Sequence, residues 1–379
     1  MVVVSVAQTD SRIKPRHTIP DVPRRATLQT IADVLGVSRS TVSNAYNRPD
    51  QLAADLRERI LAVAADLGYT GPDPAARRLR TGRSGVIGLL FTEALSYAFT
   101  DPAAVGFLEG LAREAEVEGT ALLLVPSPPG ADAAHAVREA VVDGLCIYSM
   151  ADDQAAVRAA LERRIPTVIV EEPDIDGQAF VGIDDRSATR EVAEHVLGLG
   201  HRDVAVLTDR LRPDGYEGPV DPAREAGATF HIGRQRLNGF RDALAAVGID
   251  WATVPKHEGP NDREAGARLA RAALAATPRP TALLAATDQL ALGALRAAAE
   301  LGIAVPDDLS VTGFDDAPPA ALADLTTLHQ PLREKGEQAA RLLAELREGG
   351  PPRRVMLPVE LIVRGSTGPV RARSDARGS

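Results

Sequence analysis

Three charged side chains stand where runs of apolar residues stop. Glu171 directly follows PTVIV, Asp288 follows TALLAAT and opens the helical pattern QLALGALRAAAE, and Arg236 lies within HIGRQRLNGFRDAL. A carboxylate can accept two hydroxyl protons from a sugar or hydrogen bonds from a base, and a guanidinium can donate several. Residues of these types suit the grip on a small polar molecule. Each also has an ordinary role open to it: Asp288 as an N-cap, Arg236 in a surface ion pair, Glu171 as a solvated loop residue. Aromatic rings supply stacking faces for sugars and bases. The chain has 13, and those placed to line a cleft are Phe91, Tyr97 and Phe99, after the first apolar run.

A second polar cluster is GVSRSTVSNAYN, residues 36–47. Thr27 is an N-cap candidate for a preceding helix in which Leu28, Ile31, Ala32 and Leu35 share a face. Gly36 stops that helix, Val37 plugs the turn, and Ser38 can cap a second helix running to about Tyr46. Val42 faces back to the core, which leaves Ser38, Arg39, Ser40, Ser43, Asn44 and Asn47 outward. Donors and acceptors of that kind read base edges and grip phosphates. Leu56, Ile60, Val63 and Leu67 predict a third helix that closes a small three-helix core. After it, residues 72–83 begin with proline and carry four arginines around Leu79, enough for one or two helical turns that are marginal in isolation. Residues 1–83 hold 13 Lys or Arg and 8 Asp or Glu, a balance of +5, so the rest of the chain carries −14 of the total −9. A basic head on an acidic body predicts that only the head meets a polyanion.

The run TLQTIADVLGVSRSTVSNAYN, the third helix, and DPAARRLRTGRSGVIGLL together resemble the lactose/galactose repressor (LacI/GalR) family over about residues 27–366. The resemblance implies a symmetric dimer whose second helices lie in the major groove of a pseudo-palindromic operator. Paired hinge helices would wedge Leu79 into the minor groove, where an apolar wedge kinks a base step. It places Arg39, Ser40 and Asn44 at base-reading positions and Ser38, Thr41, Ser43 and Asn47 at backbone-contacting ones. Thr27 and the hinge residues Ala76, Arg77, Leu79 and Arg80 complete the expected DNA-contacting set. It also puts effector contacts at Glu171, Arg236 and Asp288, with the departure that the family more often has Asp where Glu171 stands.

The elements that must position these residues follow from the body of the chain. Short β-branched or leucine runs at 86–90, 121–125, 144–147, 167–170, 204–207, 282–286 and 309–313 alternate with amphipathic stretches at 104–118, 187–199, 235–247, 263–276 and 289–301. Such alternation predicts parallel sheets covered by helices on both faces, with ligands bound beyond the carboxyl ends of the strands. The fold class is therefore an N-terminal all-α helix-turn-helix domain plus an α/β core. The resemblance implies that the core is two doubly wound parallel-sheet subdomains of the periplasmic-binding-protein type, joined by three crossovers near 181–186, 315–319 and 328–332. The expected domains are a flexible basic arm (1–25), the helix-turn-helix domain (26–70), a hinge (71–84), the effector-binding core (85–366) and a tail (367–379). Within the core, one subdomain takes about 85–184 and 316–330, the other 185–315 and 331–366. Residues 209–230 form a Gly/Pro-rich segment too long for an ordinary connection, either a lid near the cleft or a disordered excursion.

Catalytic chemistry has little support. There is no phosphate-binding loop with Lys-Ser/Thr, no Gly-x-Ser-x-Gly and no His-Glu-x-x-His. Glu191 and His195 lie four apart with His201 beyond, but a metal would need a third ligand fixed nearby; helix-end packing is the ordinary explanation. Cys146 stands alone in an apolar setting and suits a buried core position. No apolar run approaches the roughly 18 residues that cross a bilayer, and MVVVSVAQTD lacks the marks of a signal peptide. The expectation is a cytoplasmic, homodimeric DNA-binding regulator without cofactors or membrane association. Its small-molecule effector would be a sugar, nucleobase or related metabolite. Two alternatives remain: a solute-binding protein of the periplasmic type, or a DNA-binding protein that needs no ligand.

Overall fold

The computed structural model describes residues 26–71, 82–92, 94–128 and 132–371, and its contacts divide the chain into Met1–Arg83 and Ser84–Ser379. The expected hinge contacts Ala76, Arg77, Leu79 and Arg80 lie outside the described residues, as does the basic arm. In the first unit, helices α1 (Leu28–Leu35), α2 (Arg39–Asn47) and α3 (Ala54–Asp66) surround a core of Ile31, Ala32, Val42, Ala45, Ile60 and Ala64. Thr27 and Thr30 form a reciprocal capping box at the start of α1, and Gly36 ends it at φ 65°. That left-handed angle is easy only for glycine, and it is what turns the chain into α2.

The second unit is two α/β lobes. The first is built from β1 (Val86–Phe91), α4 (Pro102–Glu118), β2 (Ala121–Pro126), α5 (Ala133–Glu139), β3 (Gly144–Tyr148), α6 (Ala155–Glu162), β4 (Thr167–Val170) and β5 (Ala179–Gly182). The second begins with α7 (Asp185–Gly198), β6 (Val204–Thr208), β7 (Gly218–Pro219), α8 (Pro222–Ala226) and α9 (His231–Ala246). It continues with β8 (Lys256–Glu258), α10 (Arg263–Leu274), β9 (Ala282–Ala285), α11 (Asp288–Glu300), β10 (Ser310–Thr312) and α12 (Pro318–Leu322). Then come β11 (Thr327–His329), α13 (Leu332–Arg347), β12 (Arg354–Met356) and β13 (Glu360–Ile362). The first sheet runs β12-β5-β4-β3-β1-β2, the second β10-β9-β6-β8-β7, and β11 pairs with β13. All pairings are parallel except β7 with β8 and β11 with β13. Central strands such as β4, β6 and β9 are buried along their whole length, as expected for parallel strands covered on both faces.

The division of the C-terminal third between the lobes differs from the sequence expectation. The expectation gives about residues 316–330 to the first lobe and 331–366 to the second. Instead Ala320 and Leu325 are buried with β9, α10 and α11 in the second lobe. Ala339, Ala340, Leu342 and Leu343 of α13 join the core of the first, and β12 extends the first sheet beside β5. Past β13 the chain packs on the second lobe again: Ser366 donates to the Val311 carbonyl and the Val370 amide to Leu199. The α4–α13 contact is close because glycines stand at the crossing. A Cβ on Gly110 would lie 1.9 Å from the Arg333 carbonyl oxygen, and one on Gly336 2.1 Å from that of Phe107.

Candidate functional site

Helix α2 presents its polar face from a braced frame. The Ser38 hydroxyl accepts from the Thr41 amide at 3.0 Å and lies 2.7 Å from both the Ser40 and Thr41 hydroxyls. Asn47 donates to the Ser43 carbonyl and hydroxyl. A cap of this kind contributes about 1 kcal/mol. Val42 and Ala45 are buried beneath, while Ser38, Arg39 and Ser40 are exposed and Thr41, Ser43, Asn44 and Asn47 half-buried. Arg39 and Asn44 take no part in the bracing, so their side chains can turn to a partner.

In the second unit a cleft of about 780 Å³, its mouth included, opens between the lobes. The ends of parallel strands supply its lining. Phe91 ends β1 and Thr92 follows it, Tyr148 ends β3, Glu171 and Glu172 follow β4, Asp209 and Arg210 follow β6, Asn261 follows β8 and Thr287 follows β9. Tyr97, Asp101 at the start of α4, Phe230 and Arg236 add to these, and Asp315 and Gln330 enter from the crossovers. Tyr148 is fixed by stacking on Phe107 at 4.2 Å.

A polar network ties the cleft floor together. Lys335 of α13, fully buried, donates to Glu171 and, at 2.5 Å, to Gln330, whose amide donates to Asp315. Arg236, only 5% exposed, donates to Asp185 at 2.9 Å and to the Ala286 carbonyl at 2.6 Å. Its guanidinium lies 3.8 Å from the Phe314 ring centroid, and burial is offset by Asp185, Asp315 and Asp209, which hold it charged. Burial pushes Asp209 up to about 6, and raises Glu172 and Asp315 well above the usual carboxylate range. Several contacts bridge the lobes at the rim, among them the Arg234–Asp152 ion pair at 2.7 Å. Asn261 donates to the Tyr97 hydroxyl at 2.9 Å, the Ile232 amide to Glu172 at 2.9 Å, and the Asp152 amide to the Thr229 carbonyl at 2.9 Å.

Residues 27–71 match bacterial regulatory proteins of the lacI family, and residues 193–367 a periplasmic binding protein-like domain. An HTH-type transcriptional regulator of Mycobacterium tuberculosis is 46% identical over 357 residues, covering 92% of this chain and 99% of that one. The chain belongs to the LacI family of transcriptional regulators. Its fold matches the lac repressor dimer bound to operator and the anti-inducer ONPF, with a TM-score of 0.73 at 28% identity over 91% of this chain and 100% of that one. The CelR–cellobiose complex gives 0.66 at 26% identity over 90% and 100%. This LacI-family chain is a regulator and not an enzyme.

Of the residues expected in the effector cleft of this LacI-family core, Phe91, Tyr97, Glu171 and Arg236 line it. Phe99 does not: it is 63% exposed on a 3-10 turn and lies outside the lining. Asp288 lies behind the lining, 2% exposed. It accepts from Thr327 at 2.6 Å and from the Ala317 amide at 2.9 Å, so both oxygens are committed to the crossovers. Its neighbour Thr287 takes the N-cap and faces the cleft. Asp101, Tyr148, Asp209, Arg210 and Asp315 were missed, although all but Asp101 obey the same rule of following or ending a strand. Asp101 was legible as the N-cap of a proline-started helix. The segment 209–230 is anchored by Arg224, which bonds Asp214 and Glu258 and lies 4.4 Å from the Tyr216 ring. His195 and His201 hold the C-terminal segment through Thr367 and the Gly368 carbonyl, and Cys146 is buried in the first core.

Proposed function

We propose that this chain is a cytoplasmic repressor that binds a pseudo-palindromic operator as a homodimer and is switched by a small hydroxylated molecule in the interlobe cleft. In this reading Arg39, Ser40 and Asn44 contact bases, and Thr27, Ser38, Thr41, Ser43 and Asn47 position the helix on the backbone. The observation that carries the reading is the cleft lining. It draws on both lobes and on the crossovers, so a ligand there has different contacts in different lobe orientations. A ligand shifts such an equilibrium only by its differential affinity, about 10⁴-fold to move 1:99 to 99:1. Neighbours solved with an operator and an anti-inducer, or with cellobiose, support both halves of the reading.

The test is selection of bound sequences from randomised duplex DNA, using the full chain and a fragment of residues 84–379. The full chain is expected to enrich a two-fold symmetric site and the fragment none. Sequence-specific binding retained by the fragment, or an enriched site without symmetry, would sink the proposal.

A further inference from the structure

We propose that the ligand of the cleft carries an ammonium group, held between Asp101 of the first lobe and Asp209 of the second. This rests on the reading of the cleft as a small-molecule site and names the class: an amino sugar or another hydroxylated amine. Asp101 caps α4 through Oδ2, which accepts from the Ala104 amide at 3.2 Å, and the Tyr97 hydroxyl of its own lobe approaches the carboxylate, but the buried Oδ1 makes no hydrogen bond. Asp209 follows β6 on the opposite lobe, and its buried Oδ1 also makes no hydrogen bond. Both side chains line the same cavity, and the charge on Asp101 opposes that on Asp209. A buried acceptor without a donor is costly, and two like charges on opposite sides of a cleft oppose its closure.

The other lining carboxylates are already answered. Glu171 is paired with Lys335, Glu172 accepts from Ser149 and the Ile232 amide, and Asp315 accepts from Gln330. Arg236 hydrogen-bonds Asp185 and the Ala286 carbonyl and attracts Asp209 only by its charge. Hydroxyls alone could satisfy the two open oxygens but would leave the like charges in place. An ammonium donates to both, cancels the repulsion and draws the lobes together. The aromatic surface suits a cation too, since the Arg210 guanidinium already lies 5.7 Å from the Tyr97 ring centroid and 5.2 Å from that of Phe230. A metal ion fits less well, because among the described residues no three His, Cys, Asp or Glu side chains converge on one point.

Matched pairs test this on the full chain: glucosamine against glucose, and ethanolamine against ethylene glycol, at ionic strength fixed with sodium chloride. Calorimetry and thermal shift are expected to give at least about 10-fold tighter binding for each amine than for its alcohol. Asp101→Asn and Asp209→Asn should each remove most of that preference, with Phe99→Ala as an unaffected control. Equal binding within each pair, no amine binding at all, a shift reproduced by sodium chloride alone, or a preference that survives both asparagine variants would each overturn the ammonium. Glucose binding without amine preference would do so while leaving the small-molecule cleft intact, and the DNA selection judges the regulator reading separately.

Discussion

Asp288 sits with both oxygens bonded to the crossovers, and burial pushes it up to about 7. An unfolded aspartate titrates near ~3.9, so between those values the folded chain holds a proton that the unfolded chain has released. Stability from this residue is therefore greatest at low pH and declines as pH rises towards 7; Asp209, at about 6, acts in the same direction. In Asp288→Asn the side-chain oxygen can still accept from Ala317, and the amide can donate to a rotated Thr327 hydroxyl, while the titration is gone. The fall in melting temperature from pH 5 to pH 8 should be smaller in the variant than in the parent chain. Equal falls would show that Asp288 is not the proton store. The residue also marks how far sequence reaches: its place after a strand was legible, but the direction of its carboxylate was not. That direction is set by Ala317 and Thr327, 29 and 39 residues away.

At the scale of elements, strands buried on both faces announce themselves as unbroken apolar runs, and β1, β3, β4, β6, β9 and β10 were legible for that reason, while β2, at a sheet edge, was legible from its leucine run alone. The short strands β7, β8 and β12, with sequences GP, KHE and RVM, carry no such pattern. Helix α13, LREKGEQAARLLAELR, is amphipathic and could have covered either sheet. What fixes it on the first is the glycine crossing with α4, a contact no local pattern reveals. Gly336→Ala should destabilise the chain by about 1–3 kcal/mol through the clash with the Phe107 carbonyl. Gly198→Ala, at a helical position with open space around its Cβ, should be neutral or stabilise by about 0.5–1 kcal/mol. Urea unfolding midpoints of the two variants compare them directly, and a Gly336→Ala midpoint matching the parent would mean the two helices can separate without cost.

At the scale of the molecule, the basic head and acidic body were legible from charge alone. The closure of the two lobes was not, because its contacts join residues as distant as Tyr97 and Asn261. Tyr97→Phe keeps the ring beside Arg210 and deletes the hydroxyl that accepts from Asn261 across the cleft and approaches Asp101 within its own lobe. A net hydrogen bond is worth about 1 kcal/mol, so the open population should rise about five-fold. Exchange of the amides that bridge the lobes, Ile232 to Glu172 and Asp152 to Thr229, reports that opening. Both should exchange about five-fold faster in Tyr97→Phe, whereas the Val206 amide, bonded to Pro255 inside the second lobe, should be unchanged. Faster exchange at all three would indicate general loosening of the fold. Unchanged exchange at Ile232 and Asp152 would mean that the Tyr97–Asn261 bond does not hold the cleft closed.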